Sequence, residues 1–209
     1  MADDRPIAVL GAGGHAKVVL AALECAGEPI AGLFDDDPDA AGRTLLGVSV
    51  HGPIAAAVEA GLERGVLAIG SNEIRERLVE RLDLDWAPVV DPAATVHPSV
   101  EIGPGAVVLA GAVVQPDAAV GAHAIVNTGA TVDHDCRLGP FCHVAPGAHL
   151  AGDVRVGRGA LVGIGGAVLP GRSIGDWATV GAGGIVAEDI AAGVTAVGVP
   201  ARPRPEPAA

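Results

Sequence analysis

An aliphatic residue recurs at every sixth position through the second half of this chain, and that period limits the possible folds more than any other feature. The sixteen positions are Val96, Ile102, Val108, Val114, Val120, Val126, Val132, Leu138, Val144, Leu150, Val156, Val162, Val168, Ile174, Val180 and Val186. A helix needs an apolar period of 3.6 residues, and an ordinary strand needs a period of two. A period of six predicts a solenoid with three short strands per coil, each pointing one apolar residue inward.

Two further series accompany these hexads. Small residues dominate the position four residues after each aliphatic one, with Arg172 as the exception. A glycine also directly follows every third aliphatic residue, at Gly103, Gly121, Gly139, Gly157 and Gly175. We expect the small residues to fit tight corners and the glycines to adopt backbone conformations barred to other residues. Five coils about 4.8 Å apart predict a prism roughly 25 Å tall.

Charge and cysteine content restrict the partners and the compartment. The net charge is −12 and Lys17 is the only lysine, so we expect neither nucleic acid nor a membrane surface as a partner. Two of the three cysteines, Cys136 and Cys142, fall at inward positions of the repeat, which is typical of a reducing compartment. No stretch predicts a signal peptide or a membrane span, so we expect a cytoplasmic protein.

The N-terminal third lacks the hexads and predicts a separate α/β domain. A strand at Ile7–Leu10 leads into the run GAGGHA and a helix to Ala26, and a second strand at Ile30–Phe34 ends in three aspartates. Further elements are expected at residues 54–60, 66–69 and 72–82. A strand, a glycine turn and a helix start form a phosphate cradle, although a tight turn without a ligand is the alternative. We predict a small parallel sheet at residues 1–90, a solenoid at 91–202 and a disordered tail at 203–209.

Several motifs in this order resemble one family across nearly the whole chain. GAGGHAKVV, FDDD, IGSNEIR, VDHDC and FCHVAPGAHLAG are similar to the nucleotide-sugar acetyltransferases of the PglD, PerB and NeuD type. The resemblance implies a left-handed parallel β-helix that binds acetyl-CoA as a homotrimer, with a UDP- or GDP-linked amino sugar in the N-terminal domain. It implies that Gly13, Gly14 and His15 contact the diphosphate or sugar, that Asp35 and Asp36 contact the nucleoside, and that Gly70 contacts the substrate.

Acetyl transfer to an amine requires a general base, and His134 is the best candidate among seven histidines. Asp133 and Asp135 flank it, and a neighbouring carboxylate can fix the imidazole tautomer and stabilise imidazolium. The resemblance implies that His134 is the base and Asp135 its partner. From the residues alone, either aspartate could take that role.

The resemblance assigns the rest of the site within the solenoid. His143 and Ile164 would contact acetyl-CoA, and Asn127 would lie near the acceptor amine. Gly152 lies eighteen residues after His134, so it should stack beside it and leave room for the thioester. His143 lies nine residues, half a coil, after His134, which predicts different sides of the prism and, for a shared site, different chains.

Three other functions are compatible with parts of this pattern. The same residues could O-acetylate sialic acid or another sugar. A β-helix carbonic anhydrase needs three histidines on one zinc, which these spacings do not provide, so we expect no metal. A sugar-nucleotide-binding scaffold trimer would explain the repeat and the glycine turn but not the Asp-His-Asp sequence.

Overall fold

The computed structural model describes residues 4–204, which form a small α/β domain followed by a β-solenoid. The N-terminal elements, in chain order, are β1 (Ile7–Leu10), α1 (Gly14–Ala26), β2 (Ile30–Phe34), a 3₁₀ turn (Pro38–Ala40), β3 (Thr44–Leu45), β4 (Val48–Ser49), α2 (Ala55–Glu59), β5 (Arg64–Leu67), α3 (Asn72–Val79) and β6 (Asp85–Trp86). Four strands form one parallel sheet in the order β2-β1-β5-β6. The predicted α/β domain is therefore confirmed. No helix within residues 4–204 is long and apolar enough to cross a bilayer.

The solenoid has three faces, each a stack of short parallel strands. The first face contains Val89–Val90, Val107–Val108, Ile125–Val126, His143–Val144, Leu161–Val162, Thr179–Val180 and Thr195–Val197, with Arg202–Pro203 added at its end. The second face contains Thr95–Val96, Val113–Val114, Thr131–Val132, His149–Leu150, Ala167–Val168 and Ile185–Val186. The third face contains Glu101–Ile102, Ala119–Val120, Arg137–Leu138, Arg155–Val156 and Ser173–Ile174.

The hexads behave as their period predicts. Strands one coil apart pair residues eighteen apart, as in the pairing of Val126 with Val144 and of Val144 with Val162. The aliphatic series and the small series together form one buried core. Arg172, the exception, points outward and lies 3.8 Å from Asp189. The first face has strands before and after the hexad run, so the solenoid is taller than the five coils expected.

The five glycines that recur every eighteen residues have a different role from the one expected. None of them adopts a positive φ. Instead, a Cβ added to Gly121 would lie 2.6 Å from the Leu138 carbonyl oxygen, and one added to Gly139 would lie 2.7 Å from the Arg158 nitrogen. These glycines are therefore required by the close approach of successive coils and not by backbone conformation.

The residues at a different position of the hexad adopt the left-handed backbone conformation. It falls on fourteen residues spaced six apart from Gly105 to Gly183, with φ between 55° and 70°. Most are glycines, but Asp135, next to the candidate base, is among them with a φ of 61°. Asp and Asn tolerate this region better than most other residues, because their short side chains bond locally.

The C-terminal segment is ordered past residue 202, although the sequence predicts a disordered tail from residue 203. Pro203 pairs with Ala196, and Arg202 pairs with Val197, in an antiparallel extension of the first face. The Arg204 N–H also donates to the Thr195 carbonyl at 2.7 Å. The predicted tail is therefore wrong at residues 203 and 204, because backbone pairing to the last coil holds them. The remainder of the tail, residues 205–209, lies outside the described residues.

The α/β domain packs directly against the first face of the solenoid. Residues Val107 and Ile125 point outward from that face, yet both are buried, because they join one apolar cluster with Val19 and Leu23 of α1. The first solenoid strand, Val89–Val90, already pairs with Val107–Val108. The solenoid thus begins ahead of residue 91, where we drew the domain boundary, because Val89 and Val90 complete the first coil.

Candidate active site

Six of the predicted substrate residues line one cavity in the α/β domain, of about 440 Å³, which we call the glycine-loop pocket. These residues are Gly13, Gly14, His15, Asp35, Asp36 and Gly70. They come from the carboxyl ends of β1, β2 and β5, the edge where parallel α/β sheets bind ligands. The pocket is therefore a built cavity at the position the sequence predicts, while the role of each residue stays a prediction.

Asp35 holds the shape of this pocket. Its Oδ2 accepts a hydrogen bond from the Ala12 N–H at 2.6 Å, and its Oδ1 accepts one from the Asp37 N–H at 2.9 Å. Asp36 accepts from the Ile54 N–H at 2.9 Å through Oδ1. The aspartates thus tie the end of β2 to the glycine loop and to the start of α2, in addition to any contact with a nucleoside.

The start of α1 faces the glycine-loop pocket and is chemically suited to phosphate. Its N-cap, Gly13, has no side chain to satisfy the first N–H groups, and the first turn carries no acidic residue. Free N–H groups and the helix dipole at such a terminus attract anions.

His15 and His143 connect the α/β domain to the solenoid. Their ring centroids lie 6.3 Å apart. Burial, assisted by the charge of Arg75, lowers the pKa of His15 to about 4 and that of His143 to about 3. Both rings are therefore neutral at physiological pH, and neither is poised to take up a proton.

The hydrogen bonds of His143 determine its tautomer. The Thr128 N–H donates to Asn127 Oδ1 at 2.8 Å, which turns the Asn127 amide nitrogen toward His143 Nε2 at 2.9 Å. An amide nitrogen only donates, so Nε2 accepts and the ring proton resides on Nδ1. The backbone of Gly70 lies beside the ring and opposes the fall in the His143 pKa. His143 is thus a fixed neutral group between Asn127 and Gly70.

A second cavity, the solenoid pocket, lies along the first face and has a volume of about 560 Å³. Gly70 and Asn72 line it from the α/β domain, and His143, Leu161, Ile164 and Thr179 line it from successive coils. Ile164 is 62% exposed, which leaves an apolar surface for a chain-like ligand. Because Gly70 lines both cavities, the two pockets meet at this residue.

His134 lies elsewhere, at the corner that follows the second-face strand Thr131–Val132. Its Nδ1 lies 2.8 Å from Asp135 Oδ2, whereas Asp133 accepts the backbone N–H of His134 at 2.8 Å. The structure therefore pairs the imidazole with Asp135 and uses Asp133 for the backbone. The hydrogen bond that Asp135 accepts from the imidazole, and then the charge of Asp133, raise the pKa of His134 above its ordinary value.

Gly152 lies against the His134 ring, as the eighteen-residue offset predicts. A Cβ added to Gly152 would lie 2.5 Å from His134 Cε1 and 2.6 Å from Nε2. Only glycine leaves the imidazole this space.

The structure thus brings His15, Gly70, Asn127, His143 and Ile164 to one region of the chain, and His134, Asp135 and Gly152 to another.

Sequence reasoning missed two polar residues at the junction. Asn72 and Arg75 are buried on α3, and Asn72 donates from Nδ2 to the Gly159 carbonyl at 2.9 Å. The start of α3 is capped by Ser71, whose side chain accepts a hydrogen bond from the Ile74 N–H. The available signal was the spacing of Asn72, Arg75 and Leu78, which lie on one face of the helix at intervals of three.

Metal-ligating side chains are not clustered here. Within residues 4–204, no three His, Cys, Asp or Glu side chains come together as a possible metal site.

Comparison with known proteins identifies relatives of both domains. The family model described as the PglD N-terminal domain matches residues 6–82. A histidine mutant of GDP-perosamine N-acetyltransferase from Caulobacter crescentus, in complex with CoA and GDP-perosamine, is 42% identical with a TM-score of 0.92. That match covers 96% of this chain and 97% of the other. The acetyltransferase domain of PglB from Neisseria gonorrhoeae, in complex with acetyl coenzyme A, is 37% identical with a TM-score of 0.90, covering 97% and 100% of the two chains.

Curated relatives match shorter stretches. UDP-N-acetylbacillosamine N-acetyltransferase of Bacillus subtilis is 39% identical over 118 residues, or 51% of this chain and 52% of that protein. An uncharacterised protein of Acanthamoeba polyphaga mimivirus is 33% identical over 98 residues, which is 20% of its length. The chain thus spans about half or less of the curated relatives it matches. The structural matches extend over both domains, and at 42% identity across nearly two complete chains the protein belongs to the PglD and PerB type of β-helix N-acetyltransferases.

Proposed function

We propose that this protein transfers the acetyl group of acetyl-CoA to the amino group of a nucleotide-linked amino sugar, such as a UDP- or GDP-linked 4-amino-4,6-dideoxy sugar. The observation that carries the proposal is the likeness, over 96% of the chain, to an enzyme whose structure holds both CoA and GDP-perosamine. The two adjoining pockets provide a place for each substrate.

The two pockets suggest how the substrates divide between the domains. The nucleotide diphosphate would lie at the start of α1 in the glycine-loop pocket, where the N–H groups of the first turn are available. Acetyl-CoA would lie in the solenoid pocket, with its pantetheine chain along Ile164. The sugar amine and the thioester would then meet beside Gly70, His143 and Asn127.

His134 is the proposed general base. Its Nδ1 is held by Asp135, so Nε2 can take the proton of the amine as the amine attacks the thioester carbonyl. A new C–N bond forms, the C–S bond breaks, and the CoA thiolate leaves and receives a proton. Gly152 would leave room for the thioester beside this imidazole, and its N–H would face the oxyanion.

A homotrimer would bring these groups together. His143 lies on the first face, and His134 follows a strand of the second face nine residues earlier in the same coil. A site that uses both would therefore draw His134 from a neighbouring copy. We propose a cytoplasmic trimer with active sites between its subunits, since a ring of three suits a three-sided prism.

A thiol-release assay tests the reaction. CoA release from acetyl-CoA is measured with a panel of UDP- and GDP-linked amino sugars and with matched hydroxyl sugars. We expect release with at least one amino sugar and N-acetylated product by mass spectrometry. Release only with hydroxyl sugars would instead establish an O-acetyltransferase, and no release with binding of the nucleotide sugar would favour a scaffold.

The variant His134→Ala tests the proposed base. We expect kcat to fall about 10²–10⁴-fold, the usual contribution of a positioned general base, with CoA affinity unchanged. His149→Ala is the matched control, because His149 lies on the second face one coil above Thr131 and is bonded to it at 2.9 Å. Near-normal kcat in His134→Ala would rule out this residue as the base.

A further inference from the structure

Arg75 is a buried arginine that binds backbone carbonyls in both domains. Its side chain is essentially inaccessible. In the α/β domain, Nη1 donates to the carbonyls of Ile69 and Gly70 at 3.1 and 3.0 Å. In the solenoid, Nε donates to the His123 carbonyl at 3.2 Å and Nη2 donates to the Phe141 carbonyl at 2.7 Å. One guanidinium thus joins the loop after β5 to two successive coils.

Filling the domain interface does not by itself require this arginine. None of the ion pairs found within residues 4–204 involves Arg75, so its charge is buried with carbonyl partners alone. Burying a charge costs free energy, and this cost is offset here because the guanidinium satisfies carbonyls that would otherwise lack donors. The property that only a guanidinium supplies here is a rigid fork of donors directed at several carbonyls at once.

Gly70 is the carbonyl through which this fork reaches the active site. It accepts from Arg75 Nη1, and it lines both the glycine-loop pocket and the solenoid pocket. The same guanidinium donates through Nη2 to the Cys142 carbonyl at 3.3 Å, in the peptide bond that precedes His143, so it holds the backbone on both sides of the junction. Misplacement by about 1 Å within a catalytic site can cost roughly 10²-fold in rate.

We propose that Arg75 is a positioning residue that fixes the Gly70 carbonyl and, through the Cys142 carbonyl, the peptide that leads into His143, at the junction where the two substrates meet. The proposal rests on the function proposed above for this site. It assigns Arg75 no contact with the reacting atoms.

Two variants and one control separate positioning from general stability. Arg75→Met retains the length of the side chain without its donors, and Arg75→Lys retains the charge with donors that radiate from one nitrogen. Arg158→Met is the matched control, because Arg158 also joins α3 to the solenoid, through Glu76, but contacts neither Gly70 nor His143. Thermal unfolding establishes that each variant is folded.

The first readout is kinetic. We expect kcat to fall about 10- to 100-fold in both Arg75 variants. The affinity for the nucleoside diphosphate alone should change less than about twofold, because the start of α1 and the aspartate loop do not contact Arg75. Arg158→Met should leave kcat within about twofold of the wild type. An equal fall of kcat in Arg158→Met, or a wild-type kcat in a folded Arg75 variant, would overturn the proposal.

The second readout does not require turnover. The His143 Nδ1–H proton, half-buried at this junction, should give a resolved proton NMR signal, assigned by its absence in His143→Asn. We expect this signal to broaden through faster exchange in the Arg75 variants and to persist in Arg158→Met. An unchanged signal in the Arg75 variants would show that Arg75 does not position His143. If the wild type acetylates none of the sugars, the proposed function fails while this readout still decides the role of Arg75. If Arg75→Met does not fold, the kinetic and NMR measurements are both made on Arg75→Lys.

Discussion

At the scale of single residues, two histidines of this chain have opposite acid–base behaviour because their surroundings differ. His143 is half-buried beside Asn127, and desolvation lowers its pKa to about 3. His134 is exposed, and its hydrogen bond to the Asp135 carboxylate raises its pKa. A group that must exchange protons near neutral pH has to resemble His134, whereas His143 is suited to a fixed polar contact.

The pH profile of Asp135→Asn tests this difference. The base must be neutral, so activity appears as the pH rises through the pKa of His134. Removing the carboxylate removes the largest cause of the raised His134 pKa, so the acidic limb of kcat/KM should move to lower pH. The maximal rate should also fall about 10²-fold, because the tautomer is no longer held. If the acidic limb of kcat/KM does not move, a group other than His134 controls it.

At the scale of elements, the solenoid depends on two kinds of glycine, which occupy different positions of the hexad. Gly121 follows an inward aliphatic residue, and an added Cβ would lie 2.6 Å from a backbone oxygen of the next coil. Gly129 has a φ of 65° and open space around its Cα. A methyl group at the first position must displace backbone, whereas at the second it costs only conformational strain.

Alanine substitutions at these two glycines should therefore differ. Gly129→Ala should lower the free energy of unfolding by about 1–2 kcal/mol, the usual cost of a left-handed non-glycine residue. Gly121→Ala should cost about 3 kcal/mol or more, because backbone atoms cannot move aside independently. Denaturant unfolding followed by circular dichroism measures both. Equal losses would show that the coils separate easily at this corner.

At the scale of the whole molecule, the distribution of the candidate residues favours a site between chains. The glycine-loop pocket and the solenoid pocket meet at Gly70 and His143, while His134 and Gly152 occupy a different corner of the same prism. A single copy therefore presents the two halves of one proposed site on separate surfaces. In a ring of copies, the His134 corner of one chain would lie beside the two pockets of its neighbour, and together they would form one complete site.

Mixing two inactive variants tests this arrangement. His134→Ala and His143→Ala are each first shown to be poorly active, then unfolded together in equal amounts and refolded. In a closed ring of three, random assembly rebuilds roughly one intact site in four. Activity should rise well above that of either parent, with light scattering verifying the trimers. Verified mixed trimers without any gain would place both histidines in one chain or remove His143 from the site.

The sequence alone determined the features of this protein that repeat or are local. The period of six specified the solenoid and its inward residues, because each coil has the same covalent path and needs the same pattern. The stacking of Gly152 on His134 followed from the same period. The strands β1 and β2, the glycine turn and α1 were likewise readable, since each depends on a short run of neighbouring residues.

Only the tertiary structure decided the features that depend on contacts between distant segments. It distinguished Asp135, which holds the imidazole, from Asp133, which accepts a backbone N–H. It extended the solenoid to Val89 and to Pro203, where pairing with the next strand replaces the hexad signal. It also placed Arg75 on carbonyls 48 and 66 residues further along the chain. No local pattern encodes these choices, because the partners become neighbours only after the α/β domain has packed on the first face.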